Sequence, residues 1–461
     1  MADGLANSIQ EALSAFAAQF PGRFSANSGV RGHHANTLTV VPPQIPDAVV
    51  WPETTADVQA LVRLASLYRL PLIPFGAGTS LEGHVNAPRG GISVDFSRMN
   101  KVLDIRPDDM DCTVEAGVTL SQLNTELRAT GLFFPVDPGA EHATLGGMAA
   151  TRASGTTTVR YGSMRDNVIN VTAVLASGDV VRTARRARKS ASGYDLTGLL
   201  VGSEGTLGLM TELTLRLHGV PETIVSAVAA FDTTEGACRA ATLAIQSGLC
   251  LARIELLDEV QLRCLNTRAN LGLDEVATLF LEFHGSAANC QADVRTFETI
   301  AGGEGGRGVT SAGDPASRKL LWRARHDAFW AVKSSWPGKQ VVVTDVAVPL
   351  SKLAAAVTET AADIRETQLI APIVGHVGDG NFHAIVVVDP ANAAEVARVE
   401  AFLERLVARA LAYDGTATGE HGIGQGKRRF LAAEHGAAAD MMRVIKRSLD
   451  PLEIRNPDKI F

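Results

Sequence analysis

The sequence predicts an α+β protein of two or three globular units, and three observations predict it. The chain has 461 residues, 46% of them hydrophobic and 20% charged, which is enough apolar material for more than one core. Short apolar runs bounded by glycine and proline recur through the first half, and from about Glu222 strands alternate with amphipathic helices. That second pattern fits helices on one face of a mostly antiparallel sheet. No tandem repeat or long low-complexity linker interrupts the order.

The elements follow from local signals. Thr54 and Asp57 can cap a helix reaching Tyr68, with Val58, Leu61, Val62 and Ala65 on one face. Leu72–Phe75, Ile92–Phe96 and Cys112–Glu115 read as short strands, and Thr119–Arg128 as a helix with Gln122 at the capping position. Val168–Leu175 and Val180–Thr183 flank Ala176-Ser177-Gly178-Asp179, a hairpin signal, and Leu207–Leu217 is a return strand.

Beyond Glu222, strands are expected at Ile224–Phe231, Arg253–Leu257 and Ala277–Phe283, with helices at Thr234–Gln246 and Ala287–Ile300. Gly302–Gly306 and Ser311–Arg318 read as exposed connections. A helix containing Leu321–Trp330, a strand at Val341–Val348 and helices at Ser351–Arg365 and Asn392–Tyr413 complete this half. The last forty or so residues turn glycine-rich and basic again, which suggests a return to the first domain.

Composition sets outer limits. A formal charge of −7 favours solubility and argues against nonspecific nucleic-acid binding, so no nucleic-acid partner is expected. Cys112, Cys238, Cys250, Cys264 and Cys290 lack paired metal-site spacing and read as reduced, buried cysteines of an intracellular protein. Met1–Gln19 shows no secretory pattern, and no run approaches the ~20 apolar residues of a membrane span. The expected location is cytoplasmic, with a peripheral contact at the inner membrane left open.

Three segments are dense in glycine beside apolar strands: Pro74–Gly83, Asp137–Gly155 and Gly202–Gly208. Glycine allows positive φ and close backbone approach, so successive N–H groups can surround a pyrophosphate, and Thr79, Ser80 and Ser154 add hydroxyls. The same glycines would equally serve plain tight turns. Gly76 and Gly78 begin a G-x-G, but Leu81 stands where the dinucleotide fingerprint needs its last glycine, and no Gly-Lys-Ser/Thr ending follows.

Taken in order, Pro74–His84, Asp137–Gly162 and Lys189–Thr211 resemble the FAD-binding segments of the vanillyl-alcohol oxidase flavoprotein superfamily, in its D-lactate dehydrogenase, glycolate oxidase D-subunit and D-2-hydroxyglutarate dehydrogenase branch. The resemblance runs from about Val50 to the end of the chain. It implies a two-part FAD-binding domain of the vanillyl-alcohol oxidase type plus an α+β substrate (cap) domain with a mostly antiparallel sheet. Residues 1–221 would form the N-terminal extension and FAD-binding domain, 222–414 the substrate domain, and 415–461 a segment returning to the FAD domain and active site.

The resemblance implies noncovalent FAD, with pyrophosphate contacts from Gly76, Ala77, Gly78, Thr79 and Ser80, continued by Gly83. Pro138, Gly139, Gly146, Gly147, Ser154, Gly155 and Gly162 would line the flavin path, with Glu204 and Gly208 near the adenine side or its supporting wall. His84 and His142 are polar contacts or turn residues in this reading, not covalent attachment points.

Gly375-His376-Val377-Gly378-Asp379-Gly380-Asn381-Phe382-His383 lies between two strand candidates. If Asp379-Gly380 is a two-residue turn, His376 and His383 form a cross-strand pair on one face, with Cβ atoms roughly 5 Å apart. Glu420, in Gly419-Glu420-His421-Gly422-Ile423-Gly424, could complete a three-ligand metal site with an open position. Two hairpin histidines could otherwise be ordinary surface or stacking residues.

The branch resemblance matches both motifs and implies His376, His383 and Glu420 as ligands of a divalent metal, zinc or manganese, with His421 as catalytic base. It implies Arg325 as the partner of the substrate carboxylate, with Arg323 the competitor. Thr344 stands where D-2-hydroxyglutarate dehydrogenases carry a lysine, which favours a monocarboxylate, and Asp458 replaces the glycine of a terminal Asn-Pro-Gly-Lys segment. The function implied is oxidation of a small D-2-hydroxy acid, D-lactate foremost, by hydride transfer to flavin N5. Cytochrome c, a quinone or an electron-transfer flavoprotein would take the electrons, and a homodimer is compatible with the reading. The competing readings are a D-2-hydroxyglutarate or glycolate dehydrogenase, an oxidase of a larger alcohol, and a noncatalytic FAD-binding electron-transfer subunit.

Overall fold

The computed structural model describes residues 2–35, 41–269, 272–312 and 314–461. The chain divides into two compact units. Unit 1 takes the chain up to Ser154, then Ser163–Val220 and Glu420–Phe461, and unit 2 takes Gly155–Gly162 and Pro221–Gly419. The sequence reading set boundaries at 221/222 and 414/415; the chain passes between units after Val220 and after Gly419, and Gly155–Gly162 is a further excursion.

Unit 1 holds a four-stranded sheet in the order Phe24–Ser25, Ala48–Val50, Ile92–Asp95, Leu72–Phe75. The last three run parallel, with the helix Thr55–Tyr68 as crossover between Ala48–Val50 and Leu72–Phe75. That helix begins as its sequence dictates. Thr54 accepts from the Asp57 N–H while Asp57 reciprocates, and Val58, Leu61, Val62 and Ala65 form its buried face. Beside it lies a five-stranded antiparallel sheet in the order Val102–Arg106, Asp111–Glu115, Leu209–Arg216, Val168–Val174, Val180–Arg182. Both share a core that includes Leu61, Leu72, Val94, Val114, Val171 and Leu213. The C-terminal tail closes on the same unit: the Leu72 N–H donates to Ile454 O and the Asn456 N–H to Leu72 O.

Unit 2 is built on an eight-stranded sheet. Its main path is Gly306–Ala312, Thr223–Phe231, Thr278–Gly285, Leu251–Leu257, Ile373–His376, Asn381–Val388, Gln340–Val343, and Val346–Ala347 pairs separately with Asn381–Val388. All these pairings are antiparallel. Four expectations need correction. Ser311 and Ala312 belong to an edge strand whose side chains alternate without an apolar face, so hydrophobicity gave no signal there; Gly313 lies outside the described residues. Pro315–His326 and Ala328–Ser335 are separate helices broken at Asp327. The expected strand Val341–Val348 is interrupted at Thr344-Asp345. Helices cover both sheet faces, because Phe283 meets Phe297 of the helix Ala287–Gly303, whereas Phe280 clusters with Trp322, Ala328 and Val332.

Strand register then sorts the chemistry. Residues opposite one another in neighbouring strands point to the same side. The pairs Ser226↔Glu282, Arg253↔Glu282, Glu255↔His376 and Val374↔His383 therefore set Ser226, Arg253, Glu255, Glu282, His376 and His383 on one face. Farther along that face Leu257, Phe280, Ile385 and Val387 are apolar and buried in the helix-covered core. The sheet has a dry end and a polar end.

Candidate functional site

In unit 1 the glycine-rich turns converge on a cleft enclosing about 1240 Å³ of space that opens to solvent. Gly76, Ala77, Gly78, Thr79, Ser80, Pro138, Gly146, Gly147, Ser154, Glu204 and Gly208 all line it, as do Glu420 and His421. Two glycines are required by approach distance. A Cβ on Gly76 would stand 2.2 Å from Thr144 Oγ1, the hydroxyl that caps the helix Leu145–Thr151, and a Cβ on Gly146 would meet the Ala116 backbone oxygen at 2.8 Å. The cradle is thus formed by backbone too close for side chains. The Ser80 hydroxyl is buried with no hydrogen-bond partner among the described residues, as expected of a donor waiting on a bound group.

Not every predicted residue faces that cleft. Gly83 and Gly139 are absent from its lining. Gly83 adopts φ +75° and sits where a Cβ would press on Gln425 Oε1 at 2.8 Å, so it admits the C-terminal segment instead of extending the cradle. The Gly139 N–H closes a local turn on Asp137 Oδ1 at 3.1 Å. Gly155 and Gly162 belong to unit 2, where they flank the helix Thr158–Tyr161.

Glu204 is buried and does more than support a wall. Its two carboxylate oxygens accept the Ile423 N–H at 2.7 Å and the Gly424 N–H at 2.8 Å, and Oε2 lies 3.3 Å from His84 Nε2. This anchors the segment that carries Glu420 and His421 against the cleft. Ser154, expected to face the flavin path, donates its hydroxyl to Glu420 Oε2 at 3.0 Å. Asn456 also lines the cleft, and its side-chain amide donates to the Glu204 carbonyl at 2.7 Å. Asp458 adopts φ +59°, a conformation natural to the glycine it replaces, and its carboxylate takes a two-pronged contact from Arg89.

In unit 2, His376 and His383 meet with ring centroids 5.4 Å apart, edge to face. The expected register was off by two residues. Val374, not His376, pairs with His383, because the turn is the four-residue Val377–Gly380. A two-residue shift preserves side-chain parity, so the histidines stay on one face as diagonal neighbours. His383 Nδ1 lies 2.8 Å from the Thr344 carbonyl oxygen, which can only accept. Nδ1 therefore carries the proton, and Nε2 is the nitrogen able to ligate a metal. His376 Nδ1 faces both carboxylate oxygens of Glu255, at 2.8 and 2.9 Å, with the same consequence. Two imidazole Nε2 atoms presented in this way are a donor pair that a divalent metal can use.

Arg325 is buried, and its Nε and Nη2 both close on Glu255 Oε2, at 2.9 and 2.7 Å. The expected substrate fork thus already holds an internal carboxylate. Thr344 accepts the Ala384 N–H at 2.7 Å and is part of the hairpin support, so this position offers no cation. Asp345, fully enclosed, accepts from Asn381 Nδ2 and from the Thr418 hydroxyl, both at 2.8 Å. Along the same face Tyr161 Oη lies 2.7 Å from His284 Nδ1, and His284 Nε2 lies 2.9 Å from Glu282. Burial pushes the Glu282 carboxyl up, but His284 and Arg253 outweigh it and hold it below the usual range. Sequence reasoning missed Glu255 and, although it singled out the segments that carry Asp345 and Asn456, gave those two residues no role in the site. For Glu255 a signal existed: a carboxylate inside the apolar strand Leu251–Leu257 is buried, and a buried charge demands partners.

Residues 220–460 match the family described as FAD linked oxidases, C-terminal domain, and residues 46–184 match the FAD binding domain. The chain is 49% identical to a probable mitochondrial D-lactate dehydrogenase of Danio rerio, over 95% of this chain and 88% of that one. It is 44% identical to the mitochondrial D-lactate dehydrogenase [cytochrome] of Arabidopsis thaliana, over 90% and 74%. It is 32% identical to the glycolate oxidase subunit GlcD of Bacillus subtilis, over 90% and 89%. Among solved structures, p-cresol methylhydroxylase with substrate bound superposes with a TM-score of 0.81 at 17% identity, covering 98% of this chain and 97% of that one. The 4-ethylphenol oxidase of Gulosibacter chungangensis gives 0.79 at 18%, covering 99% and 97%. These two share the fold.

Proposed function

The chain belongs to the FAD-linked oxidase family, and on that premise we propose that it oxidises D-lactate to pyruvate and passes the electrons to a cytochrome. The observation that carries the substrate assignment is the near full-length likeness to relatives named D-lactate dehydrogenase. The Thr344 hydroxyl supports it independently, since a threonine bonded into the hairpin supplies no cation for a second substrate carboxylate.

The unit 1 cleft would hold FAD noncovalently, with Gly76–Ser80, Gly146 and Gly147 as its cradle. When bound, it supplies the acceptor for the α-hydrogen as hydride. The imidazole of His421, a cleft-lining residue, accepts the hydroxyl proton, a role suited to a group whose reference pKa lies near neutrality. His376, His383 and Glu420 are the proposed ligands of a divalent metal, zinc or manganese, which would supply Lewis-acid polarisation of a substrate oxygen. Support for the histidines is their Nδ1 anchoring, and for Glu420 its motif. Arg325 meets the substrate carboxylate through donors beyond those held by Glu255.

Anaerobic mixing of the purified protein with D-lactate, L-lactate, glycolate, D-2-hydroxybutyrate and D-2-hydroxyglutarate, followed by flavin bleaching, tests the proposal. D-Lactate should bleach the flavin fastest and L-lactate should not. Absence of bleaching by every acid removes the catalytic assignment, and preference for D-2-hydroxyglutarate removes the monocarboxylate reading.

A further inference from the structure

Glu255 is the most completely enclosed carboxylate of the polar sheet face, with none of its side chain exposed. Strand register alone delivers it there: it stands directly opposite His376 in the neighbouring strand. Its oxygens face His376 Nδ1 at 2.8 and 2.9 Å, while Oε2 also takes both the Nε and Nη2 donors of Arg325. One carboxylate therefore joins a strand histidine to an arginine from the helix Pro315–His326.

A buried anion at such a position is expensive unless its acceptor sites are filled. Here it is matched by one permanent cation, Arg325, which is itself nearly enclosed. The pair is close to electrically neutral, and what it contributes beyond neutrality is geometry. An Nδ1–H held by a carboxylate fixes both the tautomer and the rotation of the ring, and it raises the basicity of Nε2. The Nε/Nη2 edge of the guanidinium, fixed on Oε2, sets the direction in which the remaining N–H groups point.

We infer that Glu255 is a positioning residue shared by two functions, presenting Nε2 of His376 for metal ligation and orienting Arg325 for the substrate carboxylate. This rests on the metal and substrate roles proposed above, yet its geometric half stands without them. Because both functions act through one side chain, damage to Glu255 weakens them together, whereas a residue that only stabilises the sheet would lower stability and leave affinities alone.

The test uses the full-length flavoprotein. Glu255→Leu leaves the Arg325 guanidinium buried without its counter-charge, which can unfold the chain. Glu255→Gln keeps the shape and one acceptor oxygen, and so carries the measurement. Metal affinity is read by chelator competition with manganese and zinc on stripped protein, and the His376 tautomer by 15N NMR of the metal-free protein, with His376→Ala for assignment. Glu255→Gln should keep its FAD, bind metal ~10–100-fold more weakly, and lose the single Nδ1-protonated form of His376. The KM for D-lactate should rise, and Arg325→Lys should cost less in the variant than in the native chain. Native tautomer and native metal affinity in Glu255→Gln would overturn the inference, as would a lowered melting temperature with affinities unchanged. If the native protein takes up neither metal, the proposed metal site fails instead, and the tautomer in the metal-free protein still decides the role of Glu255.

Discussion

At the scale of single residues, what decides the site is where carboxylates are placed when they are not catalytic. Glu204 shows this: with two backbone N–H groups on its oxygens and His84 alongside, it holds the turn bearing Glu420 and His421. Hydrogen bonds to a charged acceptor contribute ~1.5–3 kcal/mol each, and their loss leaves buried donors unpaired. Glu204→Ala should therefore lower stability by about 3–6 kcal/mol and release FAD on gel filtration, read from the flavin absorbance of the eluted protein. Retention of flavin with an unchanged melting temperature would show that the turn holds itself. The sequence named Glu204, but for its proximity to the cofactor, not for its grip on a segment more than two hundred residues away. Residue types signal chemistry, whereas long-range partners become visible only once the chain is folded.

At the scale of elements, local rules carried far. The capping box at Thr54 and Asp57 and the buried stripe Val58, Leu61, Val62 and Ala65 were legible because both depend on contacts within one or two helical turns. The histidine hairpin was legible in its face but not its register. Parity survives a two-residue slip, while turn length is decided by what packs behind it. Gly380 shows the packing: it adopts φ +82°, and a Cβ there would lie 2.0 Å from the Val348 backbone oxygen. Backbone cannot swing aside as a side chain can. Gly380→Ala should destabilise by ~1–3 kcal/mol, seen as a melting temperature lower by several degrees. The helix Glu259–Ala269 has a local start signal as well, the Gln261 N–H donating to Asp258 Oδ1; what the sequence hides is that Asp258 Oδ2 also accepts the Ile373 N–H from a distant strand.

At the scale of the whole molecule, the α+β class was readable from the alternation of patterns, but the excursion of Gly155–Gly162 into unit 2 was not. Nothing in a glycine-flanked octet says which core its apolar atoms join; that is settled by the strand Leu251–Leu257 against which its short helix packs. The tail illustrates global dependence more sharply. Lys459 is buried and donates to the Asn86 and Pro457 carbonyls, and burial drives its pKa down to about 7, against the pull of Asp458 and Glu204. In the unfolded chain a lysine keeps its proton to about 10.4. Between these values the unfolded state binds more protons than the folded one, so stability rises with pH over that window, and the cost is fully present below pH 7. Comparing the native chain with Lys459→Met cancels every other titrating group. The variant loses two hydrogen bonds and a fixed offset of stability, but from pH ~7 to 9.5 its melting temperature should climb less steeply than that of the native protein. Parallel curves would mean that Lys459 stays protonated in the fold, with the two carbonyls and the nearby carboxylates offsetting its burial.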